Sequence, residues 1–134
     1  LEELIGRMKD HLMIMVKPTS IQWDFKVEGL NQQIMVNAEA KQNLFLIYKE
    51  AINNVLKHTT SSFIHVLICR SNNDLEMTIE NDGVSQTIKI NEQRKGGKGT
   101  KSMQTRAEAL KGSCKVQKND NTYRVLITIP LKSL

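Results

Sequence analysis

Glu50, Asn54 and Lys57 lie at i, i+4 and i+7 within Tyr48-Lys49-Glu50-Ala51-Ile52-Asn53-Asn54-Val55-Leu56-Lys57-His58. That spacing projects all three side chains to one side of a helix. The opposite side carries Phe45, Tyr48, Ile52 and Val55. A carboxylate, a neutral amide oxygen and a cation on one stripe suit a magnesium-bound polyphosphate. Magnesium takes hard oxygen ligands, keeps several waters and shares phosphate oxygens with its substrate. The lysine would neutralise phosphate charge. An ordinary solvated helix face shows the same kind of stripe, so the stripe by itself does not define a site.

Two other segments carry chemistry of the same kind. In Ile79-Glu80-Asn81-Asp82-Gly83, an amide or carboxylate at a strand end can accept a hydrogen bond from an adenine amino group. The glycine would let the backbone approach the ring. A plain turn uses the same residue types. Gly96-Gly97-Lys98-Gly99-Thr100-Lys101-Ser102 is a glycine-rich segment opening a helix, where backbone N–H groups bind phosphate and Lys98 and Lys101 add charge. It is not a P-loop, because it has no GK[ST] triplet and no strand runs directly into it.

The elements that must position these residues follow from periodicity. Leu1, Leu4, Ile5, Met8, Leu12 and Met15 keep a helical period that Pro18 stops. Ile21, Trp23, Phe25 and Val27 alternate with polar residues as a half-buried strand. Gly29-Leu30-Asn31 reads as a turn and Gln33 to Val36 as a short strand. Asn37 is placed to cap a helix running to about His58. Phe63 to Arg70 and Leu75 to Asn81 read as a hairpin, Thr100 to Lys111 as a helix with Gly112 at C′, and Cys114 to Lys118 with Thr122 to Ile129 as a closing hairpin. Residues 82 to 98 are polar and too long for an ordinary connection, so a lid is expected there.

At 134 residues, with 40% hydrophobic and 25% charged content, the chain suits one core. The expected fold is α+β, a two-layer sandwich with helices packed on one face of a mixed sheet. No apolar run is long enough to span a membrane. Cys69 and Cys114 lack ligand spacing, and buried reduced thiols in a cytosolic compartment are expected. The net charge of +5 suits an anionic partner. A nucleic-acid binder would interleave aromatics with its basic residues, whereas the six aromatics here (one Trp, two Tyr, three Phe) fall mostly in buried patterns.

Taken in order, E-x-x-x-N on a helix, N-D-G at a strand end, a polar lid, and G-x-G entering M-x-x-R-x-x-x-L-x-G resemble the GHKL ATPase superfamily. The nearest pattern is the ATP-binding domain of sensor histidine kinases of the NarX/DesK-like class. Glu50 to His58 reproduces that class's E-A-x-x-N-x-x-K-H. Gly97, Gly99, Met103, Arg106, Leu110 and Gly112 match its glycine-rich segment. The resemblance covers roughly residues 20 to 131.

The resemblance implies ATP and Mg²⁺ as ligands. Asn54 would ligate the metal, and Glu50 would hold a metal-bound water or act as base. Lys57 and His58 would face the nucleotide. Asn81, Asp82 and Gly83 would receive adenine, and Gly97, Lys98, Gly99 and Thr100 would line the phosphates under a lid of residues 84 to 98. Three positions depart from the pattern: Asn81 for the usual Asp, Ser85 for a glycine and Thr100 for a leucine. If Asn81 failed, Asp82 next door could substitute. Residues 1–18 would be the end of a connecting or dimerisation helix, and 19–134 the ATP-binding domain. His11, in Lys9-Asp10-His11-Leu12, lacks the acidic neighbour and long helical hairpin of the family's phosphoacceptor and is expected to be a packing or surface residue.

The implied function is to present Mg-ATP for phosphotransfer to a histidine on a separate dimerisation helix. The implied partners are that missing dimerisation domain and a response regulator, with no nucleic acid. The full-length protein would be a homodimer and the isolated domain a monomer. The chain, beginning at Leu1, would be a cytoplasmic piece of a longer, membrane-anchored protein. The alternatives are a degenerate interaction module that has lost ATP, or an anti-sigma-factor-type serine kinase.

Overall fold

The computed structural model describes residues 1–30, 33–58, 60–83 and 97–134, with the side chains of 58 and 97–99 outside the description. The order is α1 (Glu2–Val16), β1 (Gln22–Glu28), α2 (Ala38–His58), β2 (Phe63–Ser71), β3 (Asp74–Asp82), α3 (Gly97–Ala109), β4 (Ser113–Lys118) and β5 (Thr122–Pro130), closed by a 3-10 turn at Leu131–Ser133.

The five strands form one sheet in the order β1-β2-β3-β5-β4. β1 runs parallel to β2, which requires a crossover, and α2 supplies it. The remaining pairs are antiparallel. β2 turns into β3 through Asn72, whose φ of 56° lies in the left-handed region that asparagine tolerates.

Strict alternation decides which sheet face is covered. Ile64, Val66 and Ile68 on β2, Leu75, Met77 and Ile79 on β3, and Val125, Ile127 and Ile129 on β5 all point inward. They share one core with Leu4, Met8, Leu12 and Val16 of α1, Leu44, Ile47, Tyr48, Ile52 and Val55 of α2, and Met103, Ala107 and Leu110 of α3. The architecture is thus the expected α+β sandwich with a mixed sheet and helices on one face. α1 contributes a full stripe to that core, so residues 1–18 pack as part of the same body.

The outer sheet face carries two pairs of charged or titratable side chains. Asp24 Oδ1 lies 2.7 Å from His65 Nδ1, and Arg124 Nη2 lies 2.7 Å from Glu80 Oε2. His65 is therefore a sheet-surface residue. His11 packs edge-on between Phe45 and Tyr48, with ring centroids at 5.8 and 5.9 Å. Burial, then the charge of Lys49, holds its pKa below the ordinary histidine range.

Two helix ends are informative. Asn37 caps α2 as expected, its Oδ1 accepting from the Ala40 N–H at 2.8 Å. At the end of α3, the residue in the left-handed conformation is Lys111 (φ 60°) and not Gly112. The Gly112 N–H bonds the Ala107 carbonyl and the Lys111 N–H bonds the Glu108 carbonyl, a Schellman pattern with Lys111 at C′. Gly112 is needed for another reason. A Cβ there would stand 2.1 Å from the Thr128 carbonyl oxygen and 2.5 Å from Ile129 Cδ1.

The short strand expected at Gln33 to Val36 does not form. Ile34 and Val36 are half-buried and Met35 is 85% exposed. The alternation is real, but the segment has no ladder partner among the described residues, and alternation without a partner makes no strand. Val27 is 44% exposed because β1 is the sheet edge.

Candidate functional site

α2 presents its polar stripe at the margin of the core. Glu50 and Asn54 are half-buried and Lys57 is exposed. Among the described residues none of the three makes a side-chain hydrogen bond or ion pair. His58 ends the helix, and its side chain lies outside the description. One carboxylate and one amide oxygen, both unengaged, form a hard but incomplete donor set. That fits Mg²⁺, which is held by one or two protein oxygens plus phosphates and waters. It does not fit a metal held by protein alone, and the described residues contain no cluster of three His, Cys, Asp or Glu side chains able to do that.

The end of β3 is built differently. Asn81 is 0% exposed, the one buried polar side chain among the described residues. It lies in register between Ile64 on β2 and Tyr123 on β5. Its Nδ2 donates to Ser61 Oγ at 3.2 Å and to the Asp82 carbonyl oxygen at 3.0 Å. Its Oδ1 has no partner among the described residues. Such a buried acceptor can be satisfied by an ordered water or by a ligand.

Asp82 is engaged by three donors from residues 62 and 63. Its Oδ1 accepts from the Ser62 N–H at 2.7 Å and the Phe63 N–H at 3.1 Å, and its Oδ2 accepts from the Ser62 hydroxyl. Burial alone would raise this carboxyl, but the bonds from Ser62 and Phe63 outweigh it and hold the pKa below the ordinary range. Asp82 therefore clamps the end of β3 to the start of β2. Three donors already reach the Asp82 carboxylate, whereas none among the described residues reaches Asn81 Oδ1. Gly83, with φ of +81°, passes so close to Thr60 that a Cβ would stand 2.6 Å from the Thr60 carbonyl oxygen. Its missing side chain serves the clamp.

At the third segment, Gly97, Lys98 and Gly99 occupy the first turn of α3. The expected lid falls on residues 84–96, with Ser85, outside the described residues, and its last two positions belong to α3. Thr100 is half-buried and sits beside Tyr123. Burial raises the Tyr123 phenol, and the Thr100 side chain opposes that shift. Arg106 of the M-x-x-R pattern ties α3 to α2, its Nη1 lying 3.3 Å from Asn43 Oδ1.

Ser61 and Ser62 are the residues that a linear reading passes over. Residues 59 to 62 look only like a helix breaker. Two adjacent hydroxyls just before a strand were the available signal, but their partners lie about twenty positions away and become visible only in the β2–β3 register.

An α+β sandwich with a mixed five-stranded sheet and three helices on one face is the architecture of histidine kinase catalytic domains. The curated relatives point the same way. The chain is 30% identical over 93 residues to the nitrate/nitrite sensor protein NarX of Escherichia coli strain K12, covering 68% of this chain and 15% of that protein. It is 28% identical over 130 residues to the signal transduction histidine-protein kinase/phosphatase DegS of Brevibacillus brevis, covering 96% of this chain and 32% of that protein. Among solved structures, the histidine kinase domain of the blue-light activated histidine kinase of Erythrobacter litoralis EL346 superposes with a TM-score of 0.73 at 19% identity, covering 96% of this chain and 59% of that one. The catalytic domain of histidine kinase ThkA superposes with a TM-score of 0.73 at 16% identity, covering 100% and 95%. These structures share the fold. No protein-family model matches the chain. The chain belongs to the sensor histidine kinases, as their HATPase-type catalytic domain. It spans less than a third of the length of NarX and of DegS. No helix among the described residues is long and apolar enough to cross a membrane.

Proposed function

We propose that this chain binds Mg-ATP and presents its γ-phosphate to a histidine on a separate dimerisation helix. The observation that carries this reading is Asn81 Oδ1, a wholly buried acceptor with no partner among the described residues, at the strand end where the family pattern puts adenine recognition. The adenine amino group would supply the missing donor. Asn54 and Glu50 would hold Mg²⁺, which when bound neutralises phosphate charge. Lys57 would add to that neutralisation, and Gly97 to Thr100 would meet the phosphates at the N-terminus of α3.

The phosphotransfer itself depends on positioning, because a nucleophile must come within about 3–3.5 Å of the phosphorus in line. His11 is half-buried and packed edge-on against Phe45 and Tyr48, and this reading gives it no acceptor role. The acceptor would come from a dimerisation domain, within a homodimeric, membrane-anchored protein that passes phosphate to a response regulator. The neutral Asn81 favours a second reading, an interaction module that has kept the fold and lost ATP, since an amide is a weaker acceptor than a carboxylate.

Calorimetric titration of ATP with and without Mg²⁺ separates the two readings: magnesium-dependent binding supports the first and no binding supports the second. With labelled ATP, acid-labile phosphohistidine should appear only when a dimerisation domain is supplied by fusion or in trans. Label on His11 of this chain alone would overturn the division of roles.

A further inference from the structure

A primary amide carries an acceptor on one branch and two donors on the other, and a half-turn about its last torsion exchanges them. A freely turning Asn81 could accept from a 6-amino purine or donate to a 6-oxo purine. Its surroundings forbid the exchange. Asn81 Nδ2 lies 3.0 Å from the Asp82 carbonyl oxygen, which can only accept. A turned amide would place Oδ1 against that oxygen with no proton between them. The second contact repeats the constraint. Ser61 Oγ donates to the same Asp82 carbonyl at 2.8 Å, and a hydroxyl has one proton. Toward Asn81 the serine oxygen is therefore an acceptor, receiving Nδ2–H at 3.2 Å. Ser61, Asn81 and the Asp82 carbonyl close a three-membered ring of hydrogen bonds. The one polar atom of Asn81 outside that ring is Oδ1.

We infer that Ser61 is a positioning residue that locks the Asn81 amide in one orientation. Asn81 then offers an acceptor only, and the site takes purine nucleotides bearing a 6-amino donor while rejecting their 6-oxo counterparts. The inference rests on the nucleotide reading above and sharpens it. Replacing a carboxylate by an amide invites loss of discrimination, and the serine restores it without restoring charge.

The test has two independent arms. In ¹⁵N-labelled protein without nucleotide, the Asn81 side-chain NH₂ should be protected from solvent exchange. Protection should fall in Ser61→Ala and return in Ser61→Thr, which keeps the hydroxyl. In calorimetry with Mg²⁺, ADP should bind about tenfold tighter than IDP, with the purine riboside diphosphate, which lacks both groups, in between. Ser61→Ala should narrow the ADP/IDP ratio to about threefold, since the Asp82 carbonyl still disfavours the turned amide, and Ser61→Thr should keep the parent ratio. Equal ADP and IDP affinities in the parent, or a ratio untouched by Ser61→Ala, would overturn the inference. Unprotected Asn81 protons with ADP still bound would overturn the lock alone. Protected protons with none of the three nucleotides bound would overturn the selectivity together with the nucleotide reading.

Discussion

At the end of β3, Asn81, Asp82 and Gly83 are tied to residues 60–63 by hydrogen bonds from five backbone or side-chain donors and by a backbone contact too tight for a Cβ. On α2, Glu50, Asn54 and Lys57 are tied to no described side chain. The first region is built before any ligand arrives, and its polar groups are nearly all spent on one another. The second keeps its polar groups unspent at the surface. A rigid, desolvated acceptor suits recognition of a flat base, where one misplaced donor decides specificity. A charged stripe that can adjust suits a hydrated metal and a phosphate chain. Damage to the first region should therefore show in folding, and damage to the second in binding.

The strongest way to break this contrast is Gly83→Ala. The substitution puts a side chain into the left-handed region and against the Thr60 carbonyl. We expect a loss of about 2–4 kcal/mol, read as a lower urea midpoint at unchanged slope. A midpoint shift worth under about 0.5 kcal/mol would mean that the clamp gives easily.

Asn54→Ala probes the other region. It should remove the magnesium dependence of ATP binding and weaken Mg-ATP by at least about tenfold, while the urea midpoint stays at the parent value. Parent-like Mg-ATP binding would return the stripe to ordinary solvated surface.

Asp82 gives the clamp a pH signature. Its folded pKa lies below the ordinary value, so its contribution is complete above the unfolded carboxylate range near about 4. The contribution is lost as pH falls through the lowered folded pKa. Melting temperature measured from neutral pH downward should fall less steeply for Asp82→Asn than for the parent in that acid window. Solvent screening keeps the difference under about 1 kcal/mol. Identical slopes would count against the clamp.

The smallest effect is expected on the buried side of α2, opposite the polar stripe. Tyr48 is 0% exposed and its hydroxyl has no partner among the described residues. Burial alone pushes its pKa up. Tyr48→Phe removes an unsatisfied group and should leave stability within about 0.5 kcal/mol of the parent or raise it slightly. A clear loss in the thermal melt would reveal a partner for that hydroxyl.

Period and punctuation in the sequence were sufficient for most elements. The stripe of α1, the alternation of β2, β3 and β5, and the Asn37 cap depend on neighbours within a few residues, and local sterics read the same way in any context. The short strand at residues 33–36 failed because a strand needs a partner, which no local pattern supplies. Gly112 was assigned to a helix cap because the close approach of Thr128 and Ile129 comes from a strand sixteen or more positions on.

The candidate site divides along the same line. By itself the sequence determined that Glu50, Asn54 and Lys57 share a helix side, because 3.6 residues per turn is a property of the backbone. It also determined that Asn81 ends a strand and that the fold belongs to this class. Only the tertiary structure decided that Asp82 is a clamp, that Gly83 is a close-contact glycine, and that the Asn81 amide cannot turn. Those outcomes depend on Thr60, Ser61 and Ser62 meeting the end of β3 across about twenty residues of hairpin. A side chain's free atoms are whatever its neighbours in space leave unbonded, and the sheet register chooses those neighbours.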